Sequence, residues 1–546
     1  MKHFCYLTVL ILIWLQWGCK QEQFKPEDFS HAIENGEKAN EGYRRSLNLT
    51  KAWLEHVDPE SGLIPTTLVD GRKDFWEVEN SAADNYPFMV LAAYLLDDSL
   101  YQGEMLDILH KEKELTSRVR TLPDTYQFST KKFKREEPDM NWILFGSAEY
   151  IKDGLLPLLE FIGDSPWNSR MMEMLNDLPY VYNVLKEIEL DDKQGGQGHY
   201  LAASEEVNGE MLQILSRVYW MTGDKKYLDW AVKIADYYLG GEHDLTQSEY
   251  LRLRDHGCEV IGGLSELYVT LNYVNPELKK KYQNNLHKLL DRVLEVGRNE
   301  DGMFFNAINA KTGVVKDSMI VDNWGYLLNA HYSVYLIDGK EEYRNAYFEA
   351  IKHLNSKYRN FKWEGTSVDG YADAIESAIN LYNREPDASL KEWMDSEIKV
   401  MWDMQKNNGI VSGVYPDGNF TRTSIMYSLW KTKGIHCSPW REDLKFGAEV
   451  NGEDLMIAIK ADRPWKGKLT FDRQRHKEIL HLPIDYPRIN QFPEWFIADR
   501  EKKYVLVSSN QNLNGQYSGD ELIEGITINL EDDRPVFIKI RLDSEN

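Results

Sequence analysis

Ser61-Gly62-Leu63-Ile64 returns as Asp301-Gly302-Met303-Phe304 and again as Asn408-Gly409-Ile410-Val411, each time a polar residue, a glycine and two apolar residues. Each copy follows an amphipathic stretch of helical period and precedes a polar loop. Beyond the loop a more apolar helix is predicted. Seven such apolar helices open near Asn80, Trp142, Glu205, His256, Asp322, Ala372 and Thr421, about 50 to 65 residues apart, near or above the upper end of helical-repeat periods. Tyr86 to Leu96 and Val260 to Tyr268 are apolar nearly all round. A helix of that kind must be buried on every side. Gly262, Gly263, Ala372, Ala374 and Ala378 are small enough to let such helices approach closely. The stretches Glu27 to His56, Lys225 to Tyr238 and Glu341 to Tyr358 keep a charged face instead. The pattern predicts a mainly α chain, an (α/α)6–7 toroid of helical hairpins with the apolar helices inside. The mouth of the ring, where the inner helices start, is a funnel able to collect distant side chains.

Near Pro439 the period changes. Leu455 to Lys460, Lys468 to Phe471, Tyr504 to Ser508, Ile526 to Leu530 and Val536 to Arg541 read as short strands with turns between them. Strands in succession with no helix between them predict a small C-terminal antiparallel β-sandwich packed on the toroid, apart from the chemistry. The expected organisation is a signal over 1–18, a tether over 19–30, the toroid over 31–438 and the sandwich over 439–546.

The formal net charge of −24 argues against a nucleic-acid partner, since phosphate binding needs a basic surface. Lys2 and His3 followed by the apolar run Phe4 to Trp14 read as an export signal too short to span a bilayer. Leu15-Gln16-Trp17-Gly18-Cys19 and the polar residues after it resemble a bacterial lipoprotein signal, with the leucine one place further upstream than usual. That resemblance implies lipidation of Cys19 and a membrane partner through the lipid anchor. The alternative is an ordinary secretory signal, and either way the chain is exported. Cys258 and Cys437 stand beside His256 and His436. Two cysteines at opposite ends of inner helices fall short of four converging ligands, so buried, inert thiols are expected and no metal site. No motif calls for a cofactor, and no nucleophile elbow, phosphate loop, dinucleotide fingerprint or HExxH is present.

Polar groups at the predicted inner-helix starts carry the candidate chemistry. Arg252-Leu253-Arg254-Asp255-His256-Gly257-Cys258-Glu259 puts two guanidiniums, an imidazole and two carboxylates before an apolar helix. Arginine forks suit a carboxylate or sulfate, and a histidine beside a carboxylate carries protons near neutral pH. The bland reading is a capped helix start with solvated arginines. Gln194-Gly195-Gly196-Gln197-Gly198-His199-Tyr200 is a glycine-rich loop able to present His199 and Tyr200, or simply a surface loop. Asp369-Gly370-Tyr371-Ala372-Asp373-Ala374-Ile375-Glu376 places Asp373 and Glu376 on one helix face. They suit acid–base work, or serve only as helix-start charges. Glu210, Asp84, Asp322, His331 and Arg422 are further candidates, His331 more simply as a core histidine. Trp76, Trp142, Trp324, Trp363 and Trp440 lie near loop–helix junctions, where rings stack on sugars or fill the core.

The repeat turns, the strand-rich tail and the segments Trp363 to Asp373 and Asp417-Gly418-Asn419-Phe420-Thr421-Arg422 resemble the (α/α)-toroid enzymes that degrade polysaccharides. These include polysaccharide lyases, unsaturated uronyl hydrolases and dehydratases of ulvan-like acidic glycans. The resemblance implies an acidic oligo- or polysaccharide partner. For elimination, Arg252 and Arg254 would neutralise a uronate while His256, His199, Tyr200 or Tyr371 moves protons; Glu210, Trp324, Trp363 and Arg422 would bind sugar. A hydrolase would set Asp373 or Glu376 across the funnel from Asp84, Glu210 or Glu259. A surface lipoprotein that binds glycans without catalysis is the third reading.

Overall fold

The three glycine turns that repeat in the sequence are left-handed, with φ of 73° at Gly62, 82° at Gly302 and 88° at Gly409. That region is open to glycine and strained for residues carrying a Cβ. The apolar pairs that follow, Leu63-Ile64, Met303-Phe304 and Ile410-Val411, are all buried. Each turn thus folds its chain back and leads it toward the start of the next inner helix. The computed structural model describes residues 24–189, 201–414, 417–531 and 533–543. The expected signal, Cys19, His199 and Tyr200 lie outside the described residues.

Among the described residues the helices alternate outer and inner. The first three pairs are α1 (Ser30–Leu54) with α2 (Tyr86–Leu96), α3 (Glu104–Thr116) with α4 (Met140–Glu149), and α5 (Pro166–Glu189) with α6 (Glu205–Thr222). Helix α4 continues through a π-helical turn, Tyr150–Leu155, into Leu156–Ile162. Next come α7 (Lys225–Leu239) with α8 (Cys258–Val274) and α9 (Pro276–Val296) with α10 (Trp324–Asp338). The last are α11 (Glu341–Ile351) with α12 (Val368–Arg384) and α13 (Ala388–Asp403) with α14 (Gly418–Thr432). Inner helices touch in the order α2, α4, α6, α8, α10, α12, α14, and α14 packs back on α2. The ring is closed.

Patterning explains which helix goes where. Outer helix α7 buries Tyr227, Trp230, Ala231, Ile234, Ala235 and Tyr238, a stripe at helical spacing, and turns its charged residues outward. Inner helix α14 buries every residue but Asn419. Side-chain caps fix several starts: Asp139 accepts the Trp142 N–H at 3.1 Å and Ser367 accepts that of Gly370 at 2.9 Å.

The C-terminal strands form two antiparallel sheets. In chain order they are β1 (His436–Ser438), β2 (Leu444–Asn451), β3 (Asp454–Ala461), β4 (Trp465–Thr470), β5 (Lys503–Ser508), β6 (Gly515–Ser518), β7 (Ile526–Leu530) and β8 (Val536–Leu542). One sheet runs β2-β3-β8-β5-β6, the other β7-β4-β1. The larger sheet docks on α1, where Asn35 donates to the Ala448 carbonyl at 2.9 Å and Asn40 to that of Leu444 at 3.0 Å. The sandwich was expected to stay apart from the chemistry, but the connection between β4 and β5 departs from that. It threads into the ring, with Tyr486, Arg488, Asn490 and Gln491 bonded to inner helices.

The left-handed turns make a differential test. A methyl group at Gly409 would lie 2.7 Å from the Asn48 carbonyl oxygen, whereas at Gly223, also left-handed at φ 69°, nothing stands within 4 Å. Gly223→Ala should lose only the left-handed penalty, about 1–2 kcal/mol. Gly409→Ala should lose clearly more in urea unfolding, and equal losses would contradict the turn's role in packing.

Candidate functional site

Inner helices begin at one end of the ring, and a cavity of about 880 Å3 opens there. Its size suits a small-molecule or oligosaccharide ligand. Its charge is lopsided: Glu79, Asp84, Glu149, Asp153, Asp255, Glu364, Asp369 and Asp373 face it, against Lys152, Arg254, Arg422 and His256.

Two π-helical turns shape one wall. Val78–Ala83 carries Glu79 and delivers Asp84 at its end, and Tyr150–Leu155 carries Lys152 and Asp153. Such turns are uncommon and recur at functional sites, because the extra residue rotates side chains out of helical register. The two turns touch each other. On the opposite wall Asp369 and Asp373 stand one helical turn apart on α12 and share a face.

The segment Asp417 to Arg422 ties the walls together residue by residue. Asp417 accepts backbone N–H bonds from Val411, Ser412 and Gly413 at 3.2, 2.8 and 3.3 Å, holding the loop before α14. Gly418 must be glycine, since a Cβ there would lie 1.9 Å from the Asp84 carbonyl oxygen. Asn419 donates to Asp369 at 2.5 Å. Arg422, fully buried, pairs with Asp373 at 2.6 Å and Glu376 at 3.0 Å.

Asn490, from the β4–β5 connection, closes the floor. Its Oδ1 accepts from Arg422 at 2.8 Å, its Nδ2 donates to Asp153 at 2.8 Å, and its backbone N–H donates to Glu376 at 2.6 Å. Its φ is +59°, a conformation that asparagine tolerates better than most side chains. Four of the nine non-glycine residues with positive φ among the described residues, His256, Glu364, Thr366 and Asn490, line this cavity. Backbone strain of this kind gathers at functional sites.

Protonation differs sharply along the walls. Burial, then the carboxylates of Glu149, Asp369, Asp153 and Glu79, push Asp84 well above the usual carboxylate range. Burial raises Asp369 to about 6, against the Asn419 hydrogen bond that lowers it. Burial and the neighbouring Asp153 bring Glu149 to about 8. Burial also works to raise Asp153, but Lys152, at 2.8 Å, helps to hold it below its ordinary value. Burial works against the charge on His256, yet Asp255, Glu149 and Glu206 raise it.

The expected site residues divide. His256, Arg254, Asp373 and Arg422 line the cavity. Glu210 is buried behind Glu149. Glu376 lies beneath the cavity, bonded to Tyr326 at 3.0 Å and covered by Asn490. Tyr371 does not face the cavity, because two residues from Asp369 or Asp373 point to nearly opposite sides of a helix; its hydroxyl donates to the Phe361 carbonyl at 2.8 Å. Trp363 is buried, its ring centroid 6.2 Å from that of Tyr358 and 6.3 Å from that of Trp393. Trp324 is likewise buried in the core. Arg252 sits on the two-residue strand Leu251–Arg252, outside the lining. His331 is a core histidine, both ring nitrogens against carbonyls of Leu327 and Leu290 at 2.6 and 3.1 Å, and burial lowers it to about 4. Cys258 and Cys437 are buried free thiols. Sequence reasoning passed over Glu79, Glu149, Lys152, Asp153, Glu364, Asn419 and Asn490. The charged cluster Glu149-Tyr150-Ile151-Lys152-Asp153 inside an otherwise apolar run was the signal available.

No protein-family model and no curated protein matches the chain. Among solved structures, the GH76A α-1,6-mannanase of Salegentibacter sp. HEL1_6 is similar at 11% identity and a TM-score of 0.39, over 71% of this chain and 98% of that one. A family 76 glycoside hydrolase (mannosidase) from Bacteroides thetaiotaomicron is similar at 14% identity and 0.36, over 53% and 87%. Cellobiose 2-epimerase from Spirochaeta thermophila is similar at 12% and 0.35, over 55% and 80%. At such values the likeness fixes neither chemistry nor substrate for this chain.

Asn490→Ala removes the floor's side-chain bonds and leaves Arg422 and Asp153 short of partners. A loss of about 1–3 kcal/mol follows from stranding such buried groups. Urea unfolding unchanged by the substitution would show that the floor is not held this way.

Proposed function

We propose that the protein is a glycoside hydrolase acting on neutral oligosaccharides in this funnel. The observation that supports it is the difference in protonation between two carboxyls, Asp84 raised well above its ordinary value and Asp369 raised only to about 6. Burial and the surrounding carboxylates therefore favour the proton on Asp84, while Asp369 ionises above about 6. Glycosidic hydrolysis needs that asymmetry: an acid to protonate the departing oxygen, and a carboxylate to act at the anomeric carbon directly or through water. Asp84 gives its proton to the glycosidic oxygen as the C1–O bond breaks. Asp369 attacks C1 or takes a proton from the attacking water, and the anomer first released tells which.

Elimination fits less well. It requires a cation available to a uronate carboxylate, but Arg254 is bonded to Glu364 at 3.3 Å and Arg422 to Asp373, while Lys152 is paired with Asp153. A mouth rich in carboxylates also repels a polyanion. A neutral glycan takes the place of the acidic one expected from the sequence. Export as a lipoprotein tethered through Cys19 belongs to the same proposal and rests on the leader sequence alone.

Reducing ends released from a panel of neutral oligosaccharides, without ultraviolet absorbance from an unsaturated product, are the expected result. Asp84→Asn and Asp369→Asn should each lower turnover by at least about 100-fold, the lower range for general acid–base groups. The rate should rise with pH through about 6 as Asp369 ionises. Asp369 is raised on folding, so the folded protein keeps a proton that the unfolded chain has lost, and stability falls as pH rises from 3.8 to about 6. Asp369→Asn should lack that fall, remaining folded while inactive. Product absorbance without new reducing ends would overturn hydrolysis in favour of dehydration.

A further inference from the structure

We infer that Glu149, Glu206 and His256 form a binding site for one divalent transition ion, of the Zn2+ or Mn2+ class, on the funnel wall. The three side chains come from neighbouring segments of the ring: α4, α6 and the turn before α8. Each offers one ligand atom, and all three atoms lie within 4.8 Å of one another.

His256 is oriented as a ligating imidazole would be. Its Nε2 lies 3.2 Å from the Asp255 carboxylate, while Nδ1 faces Glu149 at 3.6 Å and makes a close contact with Glu206. A carboxylate behind one ring nitrogen fixes the tautomer and turns the other nitrogen's lone pair toward a metal. In the ion-free protein a proton on the imidazole answers the surrounding carboxylates, and a divalent ion binding here would displace that proton and stand between Nδ1, Glu149 and Glu206. The left-handed backbone at His256, φ 64°, holds the ring in this place.

A second, independent observation comes from Glu210. It is fully buried, and neither carboxylate oxygen has a hydrogen-bond partner. An oxygen of Glu210 groups with Glu149 and Asp153 within the same 4.8 Å limit, and burial together with the Glu149 carboxylate pushes Glu210 well above its ordinary range. A carboxyl confined there is costly to ionise, and a cation beside Glu149 would lower that cost. Lys152 does not fill the role, since its ammonium sits at Asp153, 2.8 Å away, and 3.6 Å from Glu259. Mixed imidazole and carboxylate ligands favour a transition ion over Ca2+ or Mg2+, which take oxygen donors. Glu149 and His256 face the cavity, so water or a sugar hydroxyl could complete the coordination. The site shares Glu149 with the carboxylates that raise Asp84, so its test reads binding rather than turnover and stands or falls apart from the hydrolytic reading.

The full chain is stripped with chelator, then titrated with ZnCl2 and with MnCl2 by calorimetry, with metal content measured after desalting. One equivalent of either ion, with a melting temperature raised by the ion and lowered again by chelator, is expected. Glu206→Gln and His256→Gln should weaken binding at least tenfold, and Asp255→Asn by about 10- to 100-fold as a partner of the ligand. No retained ion, or affinity unchanged in both ligand variants, overturns the site. Should those variants not fold, wild-type crystals soaked in MnCl2 decide the matter. An anomalous peak beside His256 Nδ1 supports the site, and its absence there refutes it.

Discussion

Arg422 is the charge on which the mouth of the ring depends. It is buried between the Asp373 and Glu376 carboxylates of α12 and the Asn490 side chain of the β4–β5 connection. A guanidinium withdrawn from water needs its donors met by fixed acceptors, and each acceptor here comes from a neighbouring element. Helices α12 and α14 are thereby registered against each other. Asn490 extends the link to Asp153 on α4. Three inner helices and the sandwich domain meet in one bonded cluster directly under the cavity.

The same construction recurs away from the cavity. Arg217 pairs with Glu266 at 2.6 Å between α6 and α8, and Tyr486 of the connection donates to that glutamate at 3.1 Å. Arg384 of α12 pairs with Asp485 at 3.1 Å, and Arg488 pairs with Glu160 at the end of α4. Apolar packing alone would close a ring of nearly featureless helices in more than one register. Buried pairs add little net stability but penalise every misalignment, because a slipped helix leaves a charge without its partner. The connection from the sandwich therefore acts as a plug that completes the toroid from below and bonds the sandwich to the inner helices.

The repeat and the ring were legible because they rest on local signals: a left-handed glycine before two buried apolar residues, and helices apolar all round against helices with one stripe. The five predicted strands were legible as short runs separated by turns, with no helix between them. Candidates at inner-helix starts were half legible, since the first turn of an inner helix faces the mouth but only one side of it does. Asp373 and Tyr371 sit two residues apart, and helical rotation alone sends one to the cavity and the other to the Phe361 carbonyl. Trp363 and Trp324 carry sugar-stacking chemistry in principle, but nothing in the sequence distinguishes a ring packed in the core from one at the mouth. Asn490 was out of reach, because it meets Asp153 across 337 positions and Glu376 across 114. Glu149, Lys152 and Asp153 had a signal, three charges in an apolar run. Their orientation depends on a π-helical turn that periodicity does not predict.

A mouth that served only to cap the ring would not look like this one. Crowded carboxylates raised by burial destabilise the folded state at neutral pH, and so do left-handed residues such as His256 and Thr366. Neutral side chains at the same positions would pack as well without that repulsion. Gly418 permits the close approach of backbones that sets Asp84 on the wall facing Asp369 and Asp373. The plug and the buried ion pairs beneath supply the rigidity that such an arrangement requires. What the mouth holds is a set of carboxyls at close range whose proton affinities differ, with Asp84 and Glu149 raised and Asp153 lowered. The proposed hydrolysis depends on that gradient, because one carboxyl must give a proton while another acts as nucleophile or base.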